Sequence, residues 1–235
     1  MIHFNRFIGT WERTINVFLF NSQFAVHKMS QVVLDERLIQ IKPNLVFFES
    51  SEPKKNIGQY ALYVGRLSEE KGIMTLMQSW HNLDIPIKIA GSGELLRNVK
   101  KIVADRPNIE ILGQLSKEQL GTIYSKACFL IMPTVVYETF GRVIIEAFSF
   151  GIPVISSRIG AIEELVDDGR TGLFFTPGDA KDLAVKAQWA WDHPKEMAEM
   201  GRNARREYEE KYTAERNYQM LMDIYQQAIE NHKKR

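Results

Sequence analysis

Cysteine is nearly absent from this chain of 235 residues, in which Cys128 is the only one. A single thiol cannot form an internal disulfide, so the chain is not one of the small secreted proteins that disulfides hold together. It fits a reducing compartment instead. Cys128 lies in the apolar stretch SKACFLIMP, which favours a small buried side chain over a nucleophile.

Long apolar runs and an excess of one charge are missing as well. The longest candidate, ACFLIMPTVV, is broken by Pro133 and is far shorter than the roughly 18 residues of a membrane-spanning helix. The opening residues MIHFNRFIGTWERT lack the apolar core of a signal peptide. A formal net charge of +1 argues against a dedicated nucleic-acid-binding protein. We therefore expect a soluble, cytoplasmic protein that does not bind nucleic acid.

What the sequence does contain, from residue 59 onward, is an alternation of short apolar strands and helical patterns. Five segments have the length and composition of buried strands: YALYVG, IKIAG, IEILG, CFLIMP and IPVISS. Helical patterns separate them, and Ser116 is placed to cap one of these helices. This order predicts an α/β fold with a Rossmann-like parallel sheet and helices on both faces. Ligands of such a sheet bind beyond the carboxyl ends of its strands.

The two ends of the chain follow a different pattern. INVFLFNS predicts one strand, SQFAVHKMSQVVL one helix, and RLIQIKPN the approach to a linker in the polar stretch FFESSEPKKNIG. One strand and one helix are too little for a domain, so this part looks like the end of a larger one. Near the C-terminus, Pro194 suits the start of one helix and Thr213 the cap of another. The last helix has an apolar face that we expect to pack on something: Tyr218, Leu221, Met222, Tyr225 and Ile229.

The loop after the first predicted strand, GRLSEEKG, carries two cations. Gly65 allows close approach of the backbone, and Arg66 and Lys71 lie just before a helix that begins near Gly72. An Arg fork and a mobile ammonium at a helix terminus suit a diphosphate. Taken alone, however, the loop favours a solvated turn in which Glu69, Glu70 and Lys71 are surface charges.

The next loop, AGSGE, contains Gly91 and Gly93 and invites comparison with dinucleotide-binding loops. The third glycine of that fingerprint is missing, because Leu96 stands in its place. The first strand, where the fingerprint belongs, is followed by GRLSEEKG instead. These differences argue against a nicotinamide-dependent enzyme.

A third loop and helix, PTVVYETFGRVIIEAFSFG, place two carboxylates in an otherwise apolar segment. Glu138 precedes a helix that begins near Phe140 or Gly141, with Thr139 as a possible cap, and Glu146 lies inside that helix. The carboxylates could accept hydrogen bonds from sugar and ribose hydroxyls. Alternatively, Glu138 caps the helix and Glu146 pairs with Arg142 four residues earlier. The segment alone does not decide between the two.

Together, GRLSEEKG, AGSGE and ETFGRVIIEAFSFGIPVISSRIGAIEELVDDGRTGLFF resemble family-four (group 1) retaining glycosyltransferases, in order and in spacing. The resemblance runs from about residue 14 to the end. It implies the C-terminal, donor-binding half of a GT-B fold. Residues 1–45 would be the last part of the N-terminal, acceptor domain, 46–58 a linker, and 59–212 the donor-binding domain. Residues 213–235 would form a helix returning to the N-terminal side.

The resemblance also implies roles for single residues. Arg66 and Lys71 would hold the donor diphosphate and Glu138 the sugar hydroxyls, which makes these three the catalytic candidates. Further residues would bind the donor: the amides of Phe140 and Gly141 near the anion, Glu146 at the ribose, Gly65 and Gly91 by close backbone approach, and Leu115 near the base. No metal and no cofactor is expected, since the nucleotide-sugar is itself the donor substrate.

Two departures from the family pattern stand out. Ala161 replaces a second glycine after SSRIG, while Glu164 matches the family's acidic residue in that loop. Most of the acceptor domain, with its usual histidine, has no counterpart here. None of the five histidines lies in a matching motif, so we expect them to be structural or at the surface: His3, His27, His81, His193 and His232.

The resemblance predicts transfer of a sugar from a nucleoside-diphosphate sugar to an acceptor hydroxyl with retention. The acceptor would be a glycan or glycolipid in polysaccharide or glycolipid synthesis, with at most peripheral membrane contact. One alternative is a donor-binding half that is inactive alone and needs a partner chain to supply the acceptor domain. Another is a nucleotide-sugar epimerase of the same fold, against which the Glu138 and Glu146 pair speaks.

Overall fold

The computed structural model describes residues 14–29, 36–46 and 58–233. Its strands, in chain order, are β1 (Phe18–Phe20), β2 (Ile39–Ile41), β3 (Tyr60–Val64), β4 (Ile87–Ala90), β5 (Ile109–Gly113), β6 (Ala127–Met132), β7 (Val154–Ser157) and β8 (Gly172–Phe175). Its helices are α1 (Gln23–Met29), α2 (Ile73–Ser79), α3 (Leu96–Ile102), α4 (Lys117–Ser125), α5 (Arg142–Ser149), α6 (Ile162–Leu165), α7 (Ala180–Asp192), α8 (Pro194–Lys211) and α9 (Ala214–Lys233). No helix within these ranges is long and apolar enough to span a membrane.

The central sheet has six parallel strands in the order β5-β4-β3-β6-β7-β8. The predicted α/β, Rossmann-like sheet is therefore confirmed. From β3 the chain adds β4 and β5 toward one edge of the sheet. It then crosses back to the other side of β3 and adds β6, β7 and β8 toward the opposite edge. The switch point of the topology thus lies between β3 and β6, which is where ligands of open parallel sheets bind. The sixth strand, β8, was not predicted, because GLFF is only four residues long and begins with glycine.

Helices cover both faces of this sheet, so its strands are apolar on both sides. Under one face, the core includes Leu76 and Trp80 after β3, and Leu183 and Ala187 of α7. Under the other, the core is built from α4, α5 and α8 through Tyr124, Ile144, Phe148 and Tyr208. Each of these side chains is at most 2% exposed. Helix α7, which closes the first face, was not predicted from the sequence.

Several predicted helix ends are confirmed. Ser116 caps α4 in a reciprocal arrangement with Gln119, Pro194 is the first residue of α8, and Thr213 accepts a hydrogen bond from the amide of Arg216 at 3.3 Å. The prediction for α5 was wrong in one respect: Thr139 is not its cap. The helix begins at Arg142, after a glycine, Gly141, whose φ of 74° turns the chain into it.

The N-terminal segment, residues 14–29 and 36–46, holds one more strand than predicted. RLIQIKPN was interpreted as the approach to a linker, but Ile39–Ile41 pairs in parallel with β1. The pairing partner lies 21 residues upstream, too far for local pattern to reveal it. Val46, at the predicted linker boundary, is 1% exposed in the core beside β3. Residues 47–57 of that linker lie outside the described residues.

Helix α9 lies against the N-terminal segment through polar contacts. Asn217 accepts a hydrogen bond from Lys42 Nζ at 2.8 Å and donates one to the Pro43 carbonyl at 2.7 Å, and Asn231 donates to the Asn16 carbonyl at 3.2 Å. The buried residues of this helix are Asn217 and Ile224. Four residues of its apolar face are 43–64% exposed in this chain: Tyr218, Met222, Tyr225 and Ile229. That this face packs on another surface stays a prediction. The division into domains stays a prediction.

Candidate functional site

Two loops meet across the switch point of the sheet. The loop after β3 and the loop after β6 are joined by hydrogen bonds to the Glu70 carbonyl from the Val135 amide at 3.1 Å and the Thr134 hydroxyl at 2.9 Å. They approach most closely at Gly72, where an added Cβ would lie 1.7 Å from the Pro133 carbonyl oxygen. Gly72 also has a φ of 69°, a conformation that favours glycine. The loops that carry Lys71 and Glu138 therefore form one unit.

The loop after β4 is bonded to the same unit. The Leu67 amide donates to the Ser92 carbonyl at 3.0 Å, and the Leu95 amide donates back to the Leu67 carbonyl at 3.0 Å. An added Cβ on Gly91, whose φ is 139°, would lie 1.9 Å from the Gly65 carbonyl oxygen. Gly65 and Gly91 thus allow the backbones of these two loops to approach each other closely. Their approach to a nucleotide stays a prediction.

Lys71 and Glu138 form an ion pair in which the ammonium donates to Oε1 of the carboxylate. Their side chains are 33% and 17% exposed, and the Thr134 hydroxyl lies 3.5 Å from the same carboxylate oxygen. This contact places a cation of one loop beside the carboxylate of another. It also excludes the alternative that Glu138 caps α5, since that helix has no side-chain cap.

Arg66 has its backbone fixed and its side chain in solvent. Its carbonyl accepts a hydrogen bond from the Tyr63 hydroxyl at 2.6 Å. Its guanidinium is 3.8 Å from Glu70, and the side chain is 70% exposed. Exposed ion pairs of this kind contribute little free energy. The guanidinium can therefore leave Glu70 for an anion at little cost.

The N-terminus of α5 offers unpaired backbone donors. Within the described part of the chain, the amides of Phe140 and Gly141 donate no hydrogen bond. The Phe140 side chain is 3% exposed and meets the Tyr212 ring edge-on at a centroid distance of 6.4 Å, which fixes this turn. Free amides at the start of a helix, with the helix dipole behind them, suit an anion.

Glu146 is almost fully buried, at 7% exposure, in the second turn of α5. Its Oε2 accepts a hydrogen bond from the Tyr124 hydroxyl at 3.1 Å, and its Oε1 lies 3.8 Å from Arg142. Burial raises the pKa of this carboxyl, while the Tyr124 hydrogen bond and the Arg142 charge act in the opposite direction. The predicted pairing with Arg142 is therefore present, but it is too long to satisfy the carboxylate alone.

Leu115 lies apart from the other candidates. It is half-buried in the loop between β5 and α4, toward the edge of the sheet. Among the described residues, no hydrogen bond or ion pair joins it to the loops at the switch point. Its proposed contact with a base stays a prediction.

Two residues near the site were missed by the sequence reasoning, and a third was named without its contact. Tyr124 contacts Glu146 from 22 positions earlier, and Thr134 joins two loops. Glu164 was matched to the family pattern but not to a contact: its carboxylate accepts hydrogen bonds from the Phe24 amide and, at 2.8 Å, from the Gln23 amide. Nothing in the sequence around Tyr124 indicates that it contacts Glu146, so only the tertiary structure reveals this pair.

The departure at Ala161 changes little. Gly160 already supplies the left-handed conformation of the turn, with a φ of 61°, while Ala161 has an ordinary φ of −66° and is fully buried. The Ala161 amide donates to the Glu138 carbonyl at 3.2 Å, so this turn supports the loop that carries Glu138. No group of three metal-ligating side chains occurs in the described ranges. The expectation of a metal-free reaction stays a prediction.

Known proteins resemble this chain in sequence. A sequence model of the family described as glycosyl transferases group 1 matches residues 47–207. The chain is 28% identical over 206 residues to sulfoquinovosyl transferase SQD2 of Arabidopsis thaliana, covering 86% of this chain and 36% of that protein. It is 31% identical over 157 residues to the D-inositol 3-phosphate glycosyltransferase of Pseudarthrobacter chlorophenolicus, covering 62% and 37%. The chain thus spans well under half the length of these two relatives.

Solved structures of the GT-B fold resemble the chain as well. Anabaena HepE in complex with UDP superposes with a TM-score of 0.80 at 19% identity, covering 97% of this chain and 66% of that one. Sucrose-phosphate synthase of Thermosynechococcus elongatus gives a TM-score of 0.78 at 25% identity, covering 90% and 58%. The architecture is therefore that of the GT-B glycosyltransferases.

Proposed function

The chain belongs to the group 1 glycosyltransferases, and on that premise we propose that it binds a nucleoside-diphosphate sugar at the switch point of its sheet. The sugar is then transferred to an acceptor hydroxyl with retention at the anomeric carbon. The observation that carries this proposal is the Lys71–Glu138 pair, which brings a phosphate-binding cation and a hydroxyl-binding carboxylate to one point between β3 and β6.

The diphosphate is held by cations and amides from both loops. Lys71 and the exposed Arg66 come from the loop after β3, and the free amides of Phe140 and Gly141 come from the start of α5. These donors suit the charge that grows on the leaving diphosphate, so they stabilise the transition state more than the ground state. This supports an active role for the loops in the reaction as well as in binding.

The two carboxylates take the hydroxyl-bearing ends of the donor. Glu138, beside Lys71, accepts from hydroxyls of the sugar, and Glu146, one and a half turns into α5, accepts from the ribose. Leu115 lies toward the base. The solved complex of HepE with UDP is a precedent within the same fold for a uridine nucleotide.

The transfer itself relies on positioning. No residue among the candidates is needed as a protein nucleophile: the acceptor hydroxyl attacks the anomeric carbon on the face from which the diphosphate leaves, and a phosphate oxygen takes its proton. The protein holds the acceptor hydroxyl beside the leaving diphosphate, on the same face of the sugar, and stabilises the leaving charge. We further propose that the acceptor is a growing glycan or a glycolipid and that the protein acts in the cytoplasm.

Calorimetric titration of the chain with UDP, GDP and ADP tests the donor site. We expect saturable binding of one nucleotide, and a loss of about tenfold or more in affinity in Lys71→Ala, because a charge-assisted contact to the diphosphate is lost. Lys88→Ala is the matched control, since Lys88 pairs with Glu110 at 2.8 Å on neighbouring strands away from the loops. Unchanged affinity in Lys71→Ala would contradict the assignment, as would a folded chain that binds none of the three nucleotides.

A second candidate function is a donor-binding half that works only with a partner chain carrying the acceptor site. The exposed apolar face of α9, with Tyr218 and Tyr225 at 64% and 54% exposure, favours it, because such a surface suits another protein surface. Turnover of a nucleotide-sugar by the purified chain alone would exclude this alternative. Donor binding without turnover, followed by activity on addition of an acceptor-domain chain, would establish it.

A further inference from the structure

The hydroxyl of Tyr124, a residue of α4, donates a hydrogen bond to Glu146 of α5. Tyr124 lies in the last turn of α4 and is 0% exposed, and its hydroxyl is 3.1 Å from Glu146 Oε2. The ring is itself stacked on Phe150, with a centroid distance of 5.3 Å and an interplanar angle of 12°. The hydroxyl is therefore held in place by the packing of two helices and has little freedom to turn away.

A carboxylate in this position needs such a partner. Glu146 is 7% exposed, and Arg142, at 3.8 Å, is itself half-exposed, with 51% of its side chain in solvent. A buried carboxylate without hydrogen bonds tends to take up a proton, and it then loses acceptor strength toward a ligand hydroxyl. The groups that favour the ionised form here are Tyr124, from α4, and Arg142, from α5 itself.

We propose that Tyr124 is a positioning residue for ribose recognition: its hydroxyl occupies Oε2 of Glu146 and leaves Oε1 for the ribose of the bound nucleotide. This inference rests on the proposed function of Glu146. It adds a residue that does not touch the ligand but fixes the rotamer of the carboxylate that does.

The test is a titration of the wild-type chain, three single variants and one double variant with UDP, GDP, ADP and their 2′-deoxy and 3′-deoxy counterparts. The wild-type chain and Glu146→Gln establish whether Glu146 reads the ribose, and Tyr124→Phe tests the positioning. The matched control is Tyr60→Phe, which removes another buried hydroxyl beside α4: it donates to the Ile123 carbonyl at 2.9 Å and does not touch Glu146.

We expect Tyr124→Phe to reduce the preference for the ribonucleotide over its deoxy counterparts by about fivefold, the factor that one hydrogen bond contributes. Tyr60→Phe should leave that preference unchanged. The pH profile adds a readout that loss of packing would not move. Because the Tyr124 hydrogen bond lowers the pKa of Glu146, its removal should shift the acid limb of nucleotide binding to higher pH.

The outcomes separate the two levels of the proposal. If Glu146→Gln has no effect on the ribose preference, the ribose role of Glu146 is wrong and this inference falls with it. If Glu146→Gln removes the preference while Tyr124→Phe behaves like Tyr60→Phe, the role of Glu146 stands and the role of Tyr124 is overturned. A double variant tests whether Tyr124 acts through Glu146. In the Glu146→Gln background, Tyr124→Phe should change affinity less than about twofold. An equal loss in both backgrounds would also overturn the inference.

Discussion

The central sheet and the N-terminal segment are held in place by different kinds of interaction. Strand β3 is buried along Tyr60–Tyr63 at 5% exposure or less, and helices pack on both faces of its sheet. The N-terminal segment has two three-residue strands, and none of the residues of α1 is buried. Apolar burial therefore stabilises the sheet, whereas the N-terminal segment, in its described residues, buries only two apolar side chains, Leu38 and Val46, and is otherwise held by polar and aromatic contacts.

Several of these contacts reach the loop that carries Glu138 and the neighbouring helix α6, which contains Glu164. Glu164 accepts from the first amides of α1, and the Ser22 hydroxyl donates to the Thr139 carbonyl at 2.7 Å. The Phe24 ring meets Tyr137 at a centroid distance of 5.1 Å. Tyr137 and Thr139 flank Glu138 in the chain. The N-terminal segment thus contacts the loop that carries Glu138, a catalytic candidate.

The largest effect is expected from a change inside the sheet domain. In Gly72→Ala the new Cβ would lie 1.7 Å from the Pro133 carbonyl oxygen at a φ of 69°, so the loops after β3 and β6 must move apart. We expect the free energy of unfolding to fall by about 3 kcal/mol or more in urea titrations.

The matched control for that change is Gly169→Ala, whose φ is 77° and whose new Cβ would meet nothing within 4 Å. It should cost only the backbone strain, about 1–2 kcal/mol. Equal losses in the two variants would show that the contact with Pro133 does not determine stability.

A smaller effect is expected where α9 meets the N-terminal segment. Asn217→Ala removes the buried hydrogen bonds to Lys42 and Pro43 and should cost about 1–2 kcal/mol. Hydrogen exchange should rise in residues 36–46 and stay unchanged in the central sheet. Asn203→Ala is the control: it loses a hydrogen bond to the Arg170 carbonyl at 3.0 Å and one from the Arg206 guanidinium, both away from residues 36–46. Protection of residues 36–46 that is equal in the two variants would contradict the attachment role of Asn217.

The smallest effect is expected at Glu164. Glu164→Gln keeps an acceptor at the start of α1 but removes its negative charge, so about 0.3–1 kcal/mol of helix-dipole stabilisation should be lost. The amides of residues 23 and 24 should exchange faster, and more so at low salt, where wild-type protection is greatest. The neighbouring Glu163→Gln should leave these amides unchanged. If it speeds their exchange equally, general charge rather than the contact is responsible.

The same contrast explains what could be predicted from the sequence. The five strands from YALYVG to IPVISS have their own apolar runs, and Ser116 and Pro194 act within one helix turn, so local pattern was sufficient. Strand β2 depends on β1 and was missed for that reason. Thr139 was a reasonable cap by residue type, but the αL turn at Gly141 displaced the helix start.

The candidate site was predicted in part for a similar reason. The parallel-sheet argument brought Lys71 and Glu138 to one edge, and the structure brings them into contact. Tyr124 reaches Glu146 through the packing of α4 on α5, which no spacing in the sequence encodes. The sequence likewise predicts an apolar face on α9 but cannot show whether another part of the chain covers it, and in the structure that face is exposed.

The contact between Lys71 and Glu138 also affects which ligand binds most tightly. Without a ligand, Lys71 and Glu138 are paired with each other. A nucleotide that binds Lys71 must break this pair. The measured binding free energy is therefore that of the new contact less that of the lost pair. A bare nucleotide supplies a phosphate to Lys71 but leaves Glu138 without its cation. A whole nucleotide-sugar supplies phosphate to one and hydroxyls to the other. On the proposed function, the pair therefore favours the intact donor over its spent product.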